Sequence, residues 1–148
     1  MLKDSLLEIF ERDINKLKNE LALYKNEDDL WVVKNEISNS AGTLFLHLIG
    51  NLNHFIGATL GNSGYVRNRD LEFSDKNVPL EKIAADLDKT VSIVVSALQN
   101  LPEEKISGGF PLEKHGKAVT TDYMLLHLLT HLNYHLGQIN YHRRLIEN

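Results

Sequence analysis

Apolar residues recur at Leu6, Ile9 or Phe10, Ile14, Leu17, Leu21 and Tyr24, with Lys, Glu and Asn between them. This spacing predicts an amphipathic first helix over residues 4–24, capped by Asp4 or Ser5, with one wet face. Lys25 to Asp29 is polar and reads as a loop, after which Trp31, Val32 and Val33 are expected to tuck against the helices. Ser40 then caps a second helix running to about Leu60 without one charged side chain. Gly61, Asn62, Ser63 and Gly64 stop it, and a long connector leads to Pro79, which suits the first turn of a third helix over residues 79–99. Its apolar face is Leu80, Ile83, Ala84, Leu87, Val91, Val94, Val95 and Leu98. Gly108, Gly109 and Pro111 break the chain again; Lys105 to Val119 reads as irregular with a short hairpin. Thr120 or Thr121 caps a fourth helix that ends near Ile146.

The pattern is therefore all-α, and 148 residues fit one domain over residues 1–148 with a single sizeable core. The first and third helices carry charged faces, whereas the second and fourth are apolar nearly all round. Helices of that kind are covered on most sides, either as the centre of a four-helix bundle or by another subunit as well.

Polar positions on the two apolar helices are not scattered. On the fourth they fall at His127, His131, His135, Gln138 and His142, which at 100° per residue form one narrow stripe. On the second, Ser40, Thr43, His47, Asn51 and His54 repeat nearly the same spacing. A stripe of this kind is ordinarily the solvent face of an amphipathic helix. The wet faces of this chain, however, use Lys, Glu and Asp freely, as in Glu8 to Glu20 and Glu81 to Lys89, and neither stripe contains one before Arg143. Histidine and asparagine without lysine or glutamate point to a partly buried, hydrogen-bonded or metal-bound setting.

His131 and His135 sit one helical turn apart, close enough for both imidazoles to reach one cation. A bare HxxxH is a weak signal by itself. A third ligand from the matching stripe, His47 or His54, strengthens it. Three neutral imidazoles suit zinc, nickel, iron or copper and leave a coordination position open, the arrangement of a catalytic rather than a structural site.

Charge and composition narrow the partners. The formal net charge is -4 and the cationic side chains are interspersed with acids, so no nucleic-acid footprint is expected. The longest uncharged segment, Ile37 to Val66, contains serines, asparagines, two histidines and several glycines, which argues against a membrane span. The amino terminus breaks into charges before a secretory hydrophobic region forms, so neither a signal peptide nor a leading anchor is expected. With no cysteine there is no thiolate ligand and no cysteine nucleophile, which fits a cytoplasmic location. No GxSxG, GxxxxGK or GxGxxG occurs.

The segments "HLIGNLNHF", "YVRNRDLEF" and "HLNYHLGQI" together resemble, over essentially the whole chain, the DinB-like superfamily of metalloenzymes, in a branch without an assigned function. The resemblance implies a four-helix bundle in up-down-down-up order, with long connectors after the second and third helices. Its HLxGN and HxxxHxGQI patterns imply a three-histidine metal site at His47, His131 and His135, with a swap of His54 for His47 as the alternative. With the second and fourth helices antiparallel, His54 and His127 are expected as a second tier roughly 10 Å from the metal. Asn51 and Gln138 are placed either to hydrogen-bond a ligating imidazole or to satisfy a nearby carbonyl. Gly50, Gly57 and Gly137 imply close helix approach or room for a ligand. Arg67 and Arg69, in the RNRD-like stretch, either meet an anionic substrate or pin the connector through Asp70. His115 is expected in an exposed loop, and His142 extends the stripe or caps the helix end.

Some DinB-like relatives are thiol-dependent S-transferases or isomerases. The leading expectation is thus a metal-dependent enzyme that uses an external low-molecular-weight thiol on a small-molecule substrate. The alternatives are a metal-dependent hydrolase, for which neither stripe supplies a carboxylate base and Asp70 or Asp122 would have to approach, and a non-catalytic metal- or ligand-binding stress-response protein. Self-association as a homodimer is expected from the apolar second and fourth helices and from the resemblance.

Overall fold

The computed structural model describes residues 1–147 and contains six α-helices, four of them long. No strand is present among the described residues. Helix α1 (Leu2–Leu23) buries Leu6, Phe10, Ile14, Leu17 and Leu21, so Phe10 rather than Ile9 is the core residue of its second turn. It begins at Leu2, with Met1 at the N-cap and Asp4 inside the first turn, which corrects the expected cap at Asp4 or Ser5. The polar segment after it winds into a single 3-10 turn, Glu27–Trp31, capped by the Asn26 side chain. The Trp31 ring lies so close to Gly42 that a Cβ there would stand 2.7 Å from it.

Helix α2 (Ala41–Leu52) starts at Ser40, whose Oγ accepts the Thr43 N–H at 3.1 Å. Every residue of α2 except Leu46 is buried. The expected helix to Leu60 does not stay α-helical. Asn53–Ala58 widens into a π turn. The Asn53 amide donates both to the Ile49 carbonyl and to Thr90 Oγ1, so a side chain competes for a carbonyl of the helical ladder while pulling the strand of backbone toward its neighbour.

The connector is not featureless. Asn68 caps a six-residue helix, α3 (Arg69–Ser74), that packs on α2. Pro79 is the N-cap, not the first residue, of α4 (Leu80–Asn100). A short α5 (Glu103–Ile106) follows. The segment after α5 is irregular, with isolated bridges Gly109 to Thr120 and Lys114 to Lys117, in line with the expected short hairpin. Thr120 occupies the N-cap position of helix α6 (Thr121–Ile146), but its hydroxyl donates to the Asp122 carboxylate and caps no backbone N–H.

Polar ties give the relative directions of the long helices. Lys3 reaches Gln99 and Lys18 reaches Asp88, so α1 and α4 are antiparallel. Asn133 donates to Asp13 and Asn140 to Glu20, so α1 and α6 are parallel. Asn53 meets Thr90, Gly57 lies on Ile93 and Gly61 on Ala97, so the α2 segment runs parallel to α4. Near the start of α2 Leu44 lines one cavity with Gln138 and His142, and just past the π turn that continues it Thr59 lines another with Thr121, which sets the α2 segment antiparallel to α6. Gly57 and Gly61 are sites of close helix approach; Gly137 has nothing within 4 Å of a built Cβ and explains no such contact. No helix is long and apolar enough to cross a membrane among the described residues.

Candidate metal centre

Each ring of the centre is set by its own element. His47 lies in the middle of α2 and is 7% exposed. His131 and His135 follow each other by one turn on α6. The structure brings the three together: His47 Nε2 is 3.1 Å from His131 Nε2, and His135 Nε2 is 3.1 Å from the same atom. All three offer one nitrogen within 4.8 Å of one another.

The outward nitrogens decide what those contacts are. His47 Nδ1 faces the Glu72 carboxylate at 3.1 Å, and His135 Nδ1 faces Gln138 Oε1 at 2.7 Å. Both partners are acceptors, so both Nδ1 atoms carry the proton and both Nε2 atoms present a lone pair inward. His131 Nε2 can donate one proton to one of them. At least one 3.1 Å contact is therefore not a hydrogen bond and leaves an inward lone pair without a donor, which is unfavourable unless a cation lies between the nitrogens. Two imidazole nitrogens on one tetrahedral zinc ion, each at about 2.0–2.1 Å, stand roughly 3.3 Å apart, close to this spacing. The donor set thus fits a divalent transition metal.

Protonation leans the same way. Burial, reinforced by the neighbouring imidazoles of His135, His47 and His127 and by Arg67, pushes His131 down to about 4. Burial also lowers His135, with the Gln138 hydrogen bond acting in the opposite sense and His47 adding to the lowering. Neutral imidazole, the ligating form, is favoured. His131 Nδ1 is buried with no hydrogen-bond partner among the described residues, so Nε2 is the only nitrogen through which this ring is fixed.

Glu72 is the residue that the helical periodicity did not reveal. It is 6% exposed, on α3, and both its oxygens take hydrogen bonds from Arg67, at 2.8 and 2.9 Å. Burial works to raise its carboxyl, but hydrogen bonds from His47 and Arg67 and the Arg67 charge outweigh it and hold the group below the usual carboxylate range. Phe73, the next residue, packs its ring 5.0 Å from that of His47. Helix α3 thus folds a carboxylate and an aromatic ring over the back of one imidazole, an arrangement known to orient metal-binding histidines.

The remaining expected positions are placed as follows. Gln138 bonds His135, whereas Asn51 is buried with its Oδ1 unpartnered among the described residues and bonds no imidazole. His54 stands edge-on to Phe55, 4.6 Å between centroids, outside the cluster. His127 lies stacked on His131 at 6.4 Å. Burial lowers both of these histidines, with the Arg67 charge adding to it at His54 and Lys114 and His115 at His127. Arg67 pins the connector through Glu72, not Asp70, and both of its bonding nitrogens are engaged; Arg69 is exposed over the Phe73 ring. Asp70 is exposed, and Asp122 bonds Thr120 and the Tyr123 N–H at the start of α6. His142 leaves the stripe's chemistry altogether: Nδ1 meets Tyr24 Oη at 2.7 Å and Nε2 meets the Val32 carbonyl at 2.8 Å, tying the ends of α1 and α6 to the 3-10 turn. His115 is an exposed loop residue with φ of 50°.

No curated protein matches the sequence. Residues 4–148 match the family described as "Protein of unknown function (DUF1572)", and the chain belongs to that family.

Proposed function

We propose that this protein is a metal-dependent enzyme of the DinB-like type, a four-helix bundle in up-down-down-up order in which His47, His131 and His135 hold one zinc, nickel or iron ion. The order is supported by the directions of the helix pairs, and the ion by one observation above all: three Nε2 atoms converge at 3.1 Å while the outward nitrogens of two of the rings are spoken for by acceptors. A divalent ion at such a centre holds a sulfur donor as thiolate at neutral pH. The leading reading is therefore transfer to or from a low-molecular-weight thiol, on a small-molecule substrate, in a cytoplasmic protein. His47 is oriented by Glu72, His135 by Gln138, and Phe73 and the apolar face of α2 keep water from the back of the centre.

A hydrolytic reading is ordinarily served by a carboxylate base beside the metal-bound water. The one carboxylate at the centre, Glu72, is saturated by Arg67 and His47 on the side away from the Nε2 atoms. That favours thiol chemistry. Tyr123, Leu126, Tyr134 and Tyr141 leave an exposed, largely apolar line along α6 beside the histidine stripe, which supports a homodimer. Light scattering after gel filtration tests that part of the reading. The function itself is tested by metal content followed by thiol-conjugation assays. Conjugation that disappears in His131→Ala supports it, and consumption of water alone with every thiol inert moves the reading to hydrolysis.

A further inference from the structure

Residues 34–39 and the last turns of α6 enclose a cavity of about 600 Å³. His135 and Gln138 form one part of its wall, and Ile37, Leu44, Leu145 and Ile146 another. The volume is within the range of small-molecule sites, which combine an apolar lining with a few placed polar groups. Leu145 is 74% exposed and Ile37 44% exposed, so the apolar wall is unsatisfied in the free chain.

Charge selects the kind of ligand. The cavity is lined by one cation, Lys34, and one anion, Glu36, and so carries no net charge to hold an ion. Arg67, the residue expected to meet an anionic substrate, turns Nε and Nη2 to Glu72 and does not line the cavity. The Gln138 carbonyl oxygen takes the His135 Nδ1–H, which leaves its amide N–H group as a donor at the imidazole end. We propose that this cavity is the substrate site of the three-histidine centre and that it takes an uncharged amphipathic molecule. The polar head lies at His135 and Gln138, and the apolar tail lies along Ile37, Leu44 and Leu145. The inference rests on the metal reading of the histidines.

Calorimetry on the zinc-loaded chain tests it with two probes that share a chelating head and differ in tail, acetohydroxamate and octanohydroxamate. Each buried methylene contributes about 0.8 kcal/mol, so a tail only partly covered still tightens binding about thirtyfold. That gain is expected to shrink to about threefold or less in Ile37→Gln/Leu145→Gln, two exposed positions, while acetohydroxamate binds as before. Equal affinity for the two probes, or a gain that survives the double variant, overturns the inference and leaves the metal reading standing. Should the chain retain no zinc, the metal reading fails by itself and 1-octanol becomes the probe. Saturable binding lost in the double variant then supports the cavity assignment, and absence of binding overturns it. Octanoate or octylamine binding more tightly than 1-octanol overturns the uncharged class.

Discussion

Gly50 lies directly beneath the carboxylate of Glu72: a Cβ at Gly50 would stand 1.9 Å from Oε2 and 2.4 Å from Cδ. One helical turn on from His47, α2 therefore carries a notch into which the acid of α3 descends to reach His47 Nδ1. The glycine of the HLIGN segment and the glutamate of the RNRDLEF segment are two halves of one contact.

Gly50→Ala is accordingly expected to act against its own helix propensity. Alanine favours a helix interior by about 1 kcal/mol over glycine, yet here it expels the Glu72 carboxylate. Loss of a partner that orients a ligating histidine typically costs 10–100-fold in metal affinity. Zinc titration is expected to show a loss of about that size in Gly50→Ala and none in Gly137→Ala, where a Cβ meets nothing.

Glu72 also neutralises Arg67, whose side chain is 12% exposed. Glu72→Ala leaves that guanidinium buried and unpaired, and breaking such a pair costs about 3 kcal/mol. Glu72→Ala combined with Arg67→Met is expected to recover most of the stability in urea unfolding without recovering zinc affinity, since His47 still lacks its acceptor. Recovery of both would reduce Glu72 to a packing role.

The pH dependence of the metal-free chain has a definite sign. His131 is held at about 4 in the fold, against an unfolded value of about 6.5. Between those values the unfolded chain binds the proton and the folded chain does not, so stability rises with pH across that window and is lost as pH falls through it. His135, His54 and His127 are lowered as well and act in the same direction. Thermal melts of metal-free protein are expected to drop steadily from pH 6.5 toward 4.5, and less steeply in His131→Asn. Glu72 and Asp13, both lowered carboxyls, add their loss further down as they protonate.

Asp13 provides a control for fold without chemistry. Its side chain is fully buried, held by Arg12 at 2.8 Å and by the Asn133 amide at 2.8 Å, and so joins α1 to α6 away from the histidines. Asp13→Ala is expected to cost roughly 1–2 kcal/mol, because Arg12 is exposed and regains water when its partner goes. Urea midpoints should shift while zinc affinity stays the same.

The long helices were legible in the amino-acid sequence because each buries one face over many turns, which leaves a regular apolar period. The His131 and His135 pairing was legible for the same reason, since the helix itself fixes their separation. Glu72 was not: it lies 25 residues from His47, on a helix of six residues too short to leave a period, and its partners come from tertiary packing. The polar RNRD stretch drew attention to Arg67, but only the fold shows that its partner is Glu72 and not Asp70 or a ligand. His142 belongs to the stripe by spacing, yet the end of α1 and the Val32 carbonyl claim both of its nitrogens. The π turn at Asn53 was hidden because an apolar helix and a widened one have the same composition.

Elemental analysis of untagged, purified protein tests the central claim most directly, with His131→Ala prepared alongside. One divalent transition metal ion per chain in the parent, absent from the variant, is the predicted result. A parent free of metal that also fails to take up zinc, nickel or iron on titration would contradict it.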